Sequence, residues 1–386
     1  MPRIEVSAGD GPGTHAFVVG VSRYRHVEGG EAPTDLGESF GLEPLTAAAR
    51  SASEFARWLL DRYHREETPL RTLHVALSPS DGEELDDAVL ARLPADRAAA
   101  AATRATVEND LKGFVRECAS DPENVGIVYV AGHGVQLTKH GAVVLLEDFA
   151  APEHLNELDG AIDMAGCHAG MNHPATAGTQ FWFVDACRQR PAVAQRFETM
   201  VGALSLSERR GAVSVTSPLL LAASTREAAF ARTGETTLFG QALLWALDGG
   251  AAAGPNDVDD GWHVSVMNLL SRIDRKVEAL AGRFGEEQHV DPTGRVKDAV
   301  VHRFREVPAV DLSVRLAPEA ARAVADARLF RDARDPVDAT GTEWPRRWRV
   351  DAGLYVLDIE APPPFHSWTA ILQLEPPEQV CDVEVG

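Results

Sequence analysis

The sequence has few cysteines and no long apolar run. Four cysteines occur among 386 residues, too few for the disulfide framework typical of small secreted domains. No stretch of about 18 apolar residues is present, so we expect no transmembrane helix. The opening residues lack the apolar core of a signal peptide. These absences favour the cytoplasm, where a reactive thiol stays reduced.

Basic residues are scarce relative to acidic ones. The chain carries 37 lysines and arginines against 58 acidic residues, for a formal charge of −21. A surface of this sign repels nucleic acids and anionic membranes, so we expect neither as a partner. It attracts basic peptides instead.

The sequence also lacks a convincing metal or cofactor motif. The acidic loop over 249–261 has no distant glutamate of the kind that a calcium loop requires. Cys167, His168 and His173 have poor zinc spacing and no clear fourth ligand. We therefore predict neither a metal nor a cofactor.

Strands alternating with helices dominate the first three hundred residues. Amphipathic helices are predicted over 45–63, 236–247 and 264–279, and a further helix from an N-cap at Thr106 to about 119. Strands are predicted over 15–21, 71–77, 125–131, 180–184 and 219–223. This order predicts an α/β fold with a mostly parallel sheet flanked by helices.

The pattern changes near Pro308. Short alternating runs separated by proline-rich turns follow, which predicts a small all-β sandwich. We therefore predict two domains, an α/β domain over 1–306 and an accessory β-sandwich over 307–386.

Two of the predicted strands end in chemically reactive loops. His133 follows the strand that ends in Val130–Gly132, and Cys187 follows the strand that ends in Val184–Ala186. Catalytic groups of an open parallel sheet lie at the carboxyl ends of its strands. If the two strands are neighbours, the thiol and the imidazole face one cleft.

A cysteine next to a histidine can act as a nucleophile, because imidazole promotes formation of the reactive thiolate. Attack on a carbonyl also requires donors for the oxyanion. The N–H groups of Gly134 and Cys187 are the candidates. Either Cys187 or His133 alone is more typical of a structural residue, and it is their pairing that indicates catalysis.

These segments resemble the caspases and metacaspases. Asp185-Ala186-Cys187-Arg188 matches the centre of the caspase nucleophile motif, and His133 lies upstream at the family's spacing of about 50 residues. YVAGHG resembles the histidine element of the family, with Ala131 in place of the usual serine. With the opening HAFVVGVSRY, the resemblance extends over about 13–303 and implies a caspase-like cysteine peptidase, of the kind found in bacteria.

The resemblance also implies a specificity. Asp185 stands where caspases have glutamine and metacaspases have aspartate, which implies an acidic S1 pocket and cleavage after arginine or lysine. A buried carboxylate would pair with a guanidinium through two hydrogen bonds. Asp35, in the loop after the first long strand, is a candidate second S1 carboxylate.

Activation is the other implied property. Caspase-like enzymes are often zymogens whose loop after the nucleophile strand is cut, and here that loop contains Arg209 and Arg210 as possible autocatalytic cleavage sites. Related bacterial peptidases serve as effectors in antiviral defence or cell death, some activated by a protease in a CRISPR-linked cascade. The expected partners are thus protein or peptide substrates with basic P1 residues, and an activating protease.

Two other functions remain open at this point. The chain could be a catalytically silent caspase-like scaffold, although Cys187 and His133 are both intact. It could also be a thiol amidase that acts on small molecules rather than on proteins.

Overall fold

The computed structural model describes residues 3–94, 100–136, 142–173, 175–186, 200–208, 215–224, 234–256, 259–331 and 336–386. Cys187, Arg209 and Arg210 lie outside the described residues. The chain divides into two compact units. The first is Met1–Leu244 with Ile273–Val301, and the second is Trp245–Arg272 with His302–Gly386.

The helices and strands are numbered here in chain order. The helices are α1 (Asp35–Ser39), α2 (Ala48–Asp61), α3 (Asp87–Leu90), α4 (Arg104–Cys118), α5 (Met164–Met171), α6 (Leu238–Trp245) and α7 (Val266–Gly282). The strands are β1 (Arg3–Glu5), β2 (Thr14–Val21), β3 (Leu70–Ser78), β4 (Val125–Gly132), β5 (Gly134–Gln136), β6 (Ala142–Leu145), β7 (Ala161–Asp163), β8 (Thr179–Ala186), β9 (Ser217–Ser224), β10 (Ala252–Ala253), β11 (His263–Ser265), β12 (Gln288–Arg295), β13 (Val300–Arg303), β14 (Ala309–Ala317), β15 (Asp326–Phe330), β16 (Pro336–Val337), β17 (Arg346–Asp351), β18 (Gly353–Glu360), β19 (Trp368–Leu374) and β20 (Glu378–Glu384).

The first unit is built on one large sheet. Its described strands follow the order β1-β3-β2-β4-β8-β9-β12. The five inner strands are parallel, and β1 and β12 close the edges in antiparallel pairing. The α/β class predicted from alternating strands and helices is confirmed. The sequence did not indicate the edge strands β1 and β12, which are not the long apolar runs typical of buried strands.

Helices cover both faces of this sheet. Phe114 of α4 packs against Phe17 of β2, whereas Phe55 of α2 stacks on Tyr129 of β4 and contacts Phe183 of β8. Phe17 pairs with Val128, so its side chain projects from the face opposite to that of Tyr129. The helices α2 and α4 therefore lie on opposite faces, which explains why the central strands β2 and β4 are buried along their whole length.

The start of α4 differs from the prediction. The sequence indicated an N-cap at Thr106, but Thr103 is the N-cap and its side chain accepts the N–H of Thr106. The carboxylate of Asp148 accepts the N–H of Arg104 from across the fold. The helix gains an extra turn because a distant side chain satisfies its first N–H group.

The second unit is mainly β-structure, as the tail of the sequence predicts. Most of its described strands form the sheets β17-β14-β20 and β16-β15-β18-β19, and the short β10 and β11 pair in a sheet with β13. One buried cluster joins both sheets and contains Leu312, Trp348, Tyr355 and Leu374. Trp245–Arg272 also belongs to this unit, although the sequence assigns it to the first predicted domain. The predicted boundary near residue 306 stays a prediction.

Candidate active site

His133 and Asp185 lie at one edge of the large sheet. The strands β4 and β8 are parallel neighbours in which Ala131 is opposite Asp185 and Gly132 is opposite Ala186. His133 directly follows β4, and Cys187 is the next residue of the chain after β8. The condition that the two strands be neighbours is met.

A tyrosine hydroxyl holds the backbone of His133. The N–H of Leu145 donates to the carbonyl of His133, but the N–H of His133 donates to the hydroxyl of Tyr24, at 2.7 Å. That hydroxyl is in turn 3.5 Å from the carbonyl oxygen of Leu145. The Tyr24 hydroxyl is therefore inserted between the His133 N–H and the Leu145 carbonyl, which would otherwise bond directly in the antiparallel ladder.

Gly132 makes room for this insertion. A Cβ atom at residue 132 would lie 2.7 Å from the Tyr24 hydroxyl oxygen, closer than a real Cβ contact allows. The rings of Tyr24 and His133 also pack together, with their centroids 4.9 Å apart. The glycine before the histidine therefore permits the close approach of the side chain that positions it.

The ring of His133 has a defined tautomer. Its Nε2 lies 2.7 Å from the backbone carbonyl oxygen of Glu43, and because a carbonyl only accepts, Nε2 must carry hydrogen. In the neutral ring, Nδ1 then keeps the free lone pair. Burial lowers the pKa of His133 to about 4. The imidazole is therefore neutral at pH 7 and can accept a proton.

The N–H of Gly134 points away from the adjacent strand. Gly134 pairs with Val144. The preceding pair, His133 with Leu145, is a bonded one, because the Leu145 N–H donates to the His133 carbonyl. Antiparallel ladders alternate between bonded and non-bonded pairs. The Gly134 N–H therefore does not join the ladder with β6, which fits its predicted use as an oxyanion donor.

Asp185 lines a cavity together with Gly132, the residue before His133. The cavity has a volume of about 160 Å³ and is lined by Pro44, Leu45, Thr46, Ala47, Ala48, Gly132, Asp185 and Thr237. Only 1% of Asp185 is exposed, and this burial raises the pKa of its carboxyl to about 6. Tyr129 and Thr237 both donate to its Oδ2 atom.

The start of α2 forms one wall of this cavity. Ala47 stands at its N-cap and makes no side-chain cap bond. The N–H of Ala49 donates instead to the hydroxyl of Ser22, and the N–H of Arg50 donates to the carboxylate of Glu83. These two partners fix the segment that supplies both the cavity wall and the Glu43 carbonyl.

Asp35 does not line the cavity. It is the first residue of α1, a short helix within a segment that the sequence predicts as loop, and it is exposed. Among the described residues that surround the cavity, Asp185 is the one carboxylate. The structure therefore offers no support for Asp35 as a second S1 group.

The described cysteines are not activated. Cys118 and Cys167 are buried free thiols and Cys381 is half-buried. Burial raises the pKa of Cys167 to about 12 and also raises the pKa values of Cys118 and Cys381. Buried apolar surroundings disfavour the thiolate, so none of the three is a candidate nucleophile.

Metal-ligating side chains meet at one place in the part of the chain that the structure describes. Asp274, Glu278 and His289 bring one ligand atom each within 4.8 Å of one another. All three are half-exposed, and Nδ1 of His289 lies 3.0 Å from a carboxylate oxygen of Glu278. Nε2 of His168 lies 2.7 Å from the hydroxyl oxygen of Ser217.

Sequence reasoning missed three contributors, namely Tyr24, Glu43 and Thr237. Tyr24 lies in the HAFVVGVSRY segment, but nothing in that segment shows that its hydroxyl reaches His133. Glu43 acts through its backbone carbonyl, which no side-chain pattern can indicate. Thr237 accepts the N–H of Gly240, so a threonine placed before an apolar helix was the available N-cap signal.

Comparison with known proteins agrees with this fold. Residues 79–313, well over half of the chain, match the model of the family described as Caspase domain. The chain therefore belongs to the caspase domain family of cysteine peptidases. No curated protein matches the sequence. In the described part of the chain, every helix is too short or too polar to cross a membrane.

Proposed function

We propose that this chain is a cysteine endopeptidase that cleaves after lysine or arginine, with Cys187 as nucleophile and His133 as general base. The observation that carries the proposal is the placement of His133 and Asp185 at the carboxyl ends of adjacent parallel strands. Family membership supports the peptidase class. The cavity with its buried carboxylate supports the preference for a basic side chain.

The reaction proceeds through a thioester. The Cys187 thiol gives its proton to Nδ1 of His133, and the sulfur attacks the carbonyl carbon of the scissile bond. The N–H groups of Gly134 and Cys187 donate to the resulting oxyanion. The C–N bond breaks as His133 returns the proton to the leaving amine, and water then hydrolyses the thioester.

The Glu43 carbonyl assists His133. When Nδ1 takes the proton, the ring becomes an imidazolium whose Nε2–H already donates to that carbonyl at 2.7 Å. A hydrogen bond from a charged donor is stronger than one from a neutral donor. The contact therefore stabilises the protonated state that the burial of His133 disfavours.

Activation by cleavage belongs to the same proposal. Arg209 and Arg210 offer basic sites after the nucleophile strand, suited to self-cleavage or to an activating protease. The three described free thiols support a reducing cytoplasm. An effector role in bacterial defence, downstream of a CRISPR-linked protease, is the cellular function that the family resemblance favours.

Fluorogenic peptides with lysine, arginine or aspartate at P1 test the proposal. They are offered to the wild type, to Cys187→Ala and to Asp185→Asn, before and after a brief nick by an added protease that is then inhibited. Cys167→Ala is the matched control, because it removes a buried cysteine outside the site. We expect cleavage after the basic residues, lost in Cys187→Ala, strongly reduced in Asp185→Asn and retained in Cys167→Ala.

Other outcomes would favour other functions. Cleavage after aspartate would leave Cys187 as nucleophile and remove Asp185 from the specificity pocket. Hydrolysis of small amides without hydrolysis of peptides would support a thiol amidase. Silence of the nicked protein towards all three peptides would indicate a scaffold.

A further inference from the structure

The two carboxylate oxygens of Asp185 differ in their surroundings. Oδ2 accepts from the Tyr129 hydroxyl, at 2.7 Å, and from the Thr237 hydroxyl. Oδ1 has no hydrogen-bond partner among the residues that the structure describes. A carboxylate oxygen offers about two acceptor positions, so the two hydroxyls fill those of Oδ2, whereas the buried Oδ1 keeps its positions open.

The two donors are themselves held in place. The Thr237 hydroxyl accepts the N–H of Gly240 at 3.0 Å, and the Thr237 N–H donates to Ser51 at 2.8 Å. The ring of Tyr129 stacks on Phe55 with centroids 4.7 Å apart. These contacts hold both hydroxyl oxygens beside Oδ2, where they compete with a substrate for that oxygen.

We infer that the pocket binds a basic P1 side chain through the single oxygen Oδ1 of Asp185, and that it accepts a lysine ammonium at least as well as an arginine guanidinium. This inference rests on the proposed function. A guanidinium gains its advantage by donating two parallel bonds to two oxygens. With Oδ2 occupied, the two-bond pairing predicted from the sequence is not the one that this geometry supports.

A lysine ammonium, unlike a guanidinium, does not depend on two parallel bonds and so loses no binding energy in such a pocket. It is a compact charge whose donors can rotate, so one bond can reach Oδ1 while others reach polar groups of the 44–48 wall, such as the side chain of Thr46. Thr237 is therefore a residue that determines specificity by occupying the carboxylate. It lines the cavity together with Asp185, whereas Tyr129 does not.

Peptides that differ only in lysine or arginine at P1 test this inference through the ratio of their kcat/KM values. The wild type should cleave the lysine peptide at least as efficiently as the arginine peptide. Thr237→Ala opens Oδ2 on the cavity side, and should shift the ratio towards arginine by about tenfold, since a second charge-assisted bond becomes available. Thr237→Ser keeps the donor and should keep the wild-type ratio.

Tyr129→Phe is the matched control. It also removes one donor from Oδ2, but from a side that does not line the cavity, so the ratio should stay near that of the wild type. A wild-type preference for arginine of about tenfold or more would overturn the inference, because that advantage is typical of two-bond pairing. An unchanged ratio in a folded, active Thr237→Ala protein would also overturn it.

A binding measurement separates this inference from the proposed function. The Cys187→Ala protein is titrated with n-butylammonium and with n-propylguanidinium, which mimic the two side chains, and binding is followed by NMR with Asp185→Asn as reference. Ammonium binding equal to or tighter than guanidinium binding, and lost in Asp185→Asn, is expected. Tighter guanidinium binding, or no binding of either cation, would overturn the inference even if peptides are cleaved. Absence of cleavage with the expected binding would count against the peptidase alone.

Discussion

At the scale of single residues, the site depends on groups that position His133 without touching a substrate. The Tyr24 hydroxyl accepts the only N–H of the His133 backbone, and the Glu43 carbonyl fixes the ring tautomer. The first interaction is buried and the second is partly buried, and in a buried site an unpaired N–H costs about 1–3 kcal/mol. The histidine therefore has little freedom to leave the orientation in which Nδ1 can take a proton.

Tyr24→Phe should lower kcat. The variant leaves the His133 N–H without its acceptor and removes the hydroxyl that separates it from Leu145, so His133 moves. We expect kcat to fall by about tenfold, because a misplaced catalytic group lowers the reaction rate steeply. The measurement is steady-state hydrolysis of a basic peptide, together with urea unfolding.

Tyr63→Phe provides the control for Tyr24→Phe. Tyr63 is also buried, and its hydroxyl lies 2.8 Å from that of Thr14, at the opposite end of β2. This variant should lose stability to a similar extent but keep its kcat. A parallel loss of kcat in both variants would show that Tyr24 acts through general stability and not through His133.

At the scale of elements, the cavity wall depends on the close contact between α2 and β2. A Cβ atom at Gly20 would lie 2.5 Å from Cβ of Ala52, 2.8 Å from Cα of Ala49 and 2.9 Å from the carbonyl oxygen of Ala48. Two of these atoms belong to the helix backbone and cannot rotate away. A glycine on the strand facing alanines on the helix therefore sets the distance at which α2 lies over the sheet.

Gly20→Ala should push α2 outward. We expect a loss of about 1–3 kcal/mol in the free energy of unfolding, as is typical when a methyl group is forced into a packed core. We also expect a rise in KM, because Ala47 and Ala48 line the cavity. Gly282→Ala, at the end of α7 with no atom within 4 Å of the added carbon, should be neutral or slightly stabilising. Equal effects of the two substitutions in urea unfolding would contradict this account.

The sequence predicted the elements of this site better than their contacts. The position of His133 and Asp185 at one edge of the sheet could be predicted because buried strands are recognisable as apolar runs in the sequence. The carboxyl ends of parallel strands also share one edge. The hydrogen bond from Thr237 to Oδ2 of Asp185 could not be predicted, because the two residues are 52 positions apart in the chain. They meet only after α6 packs on the sheet. The start of α4 was misplaced for the same reason, since its partner Asp148 comes from a distant segment.

At the scale of the whole molecule, the two buried titratable groups of the site, His133 and Asp185, oppose each other in their effect on stability. The raised pKa of Asp185, about 6, means that its burial costs stability as pH rises from about 4 towards 6. The lowered pKa of His133, about 4, means that its burial costs stability as pH falls from about 6.5 towards 4. Between these limits the two slopes nearly cancel.

When either group is removed, the free energy of unfolding should change with pH as the remaining group alone dictates. Relative to the wild type, Asp185→Asn should gain stability as pH rises from 4 to 6, and His133→Gln should gain stability as pH falls from 6.5 to 4. Each change should be on the order of 3 kcal/mol over its full range. Urea unfolding at half-unit pH intervals measures both differences. Difference curves with the same sign of slope would contradict the assignment of these pKa values.

The register of β4 and β8 also determines which segments would have to be moved together to build this site in another protein. Gly132 lies opposite Ala186, so the residues that follow the two strands are matched by strand pairing and not by the connecting loops. A deletion of one residue within either strand would displace its terminal group by about 3.3 Å and turn it to the other face. A designer who wished to install this chemistry in another parallel sheet would need to move the two strands together, along with the segments that carry Tyr24 and Glu43.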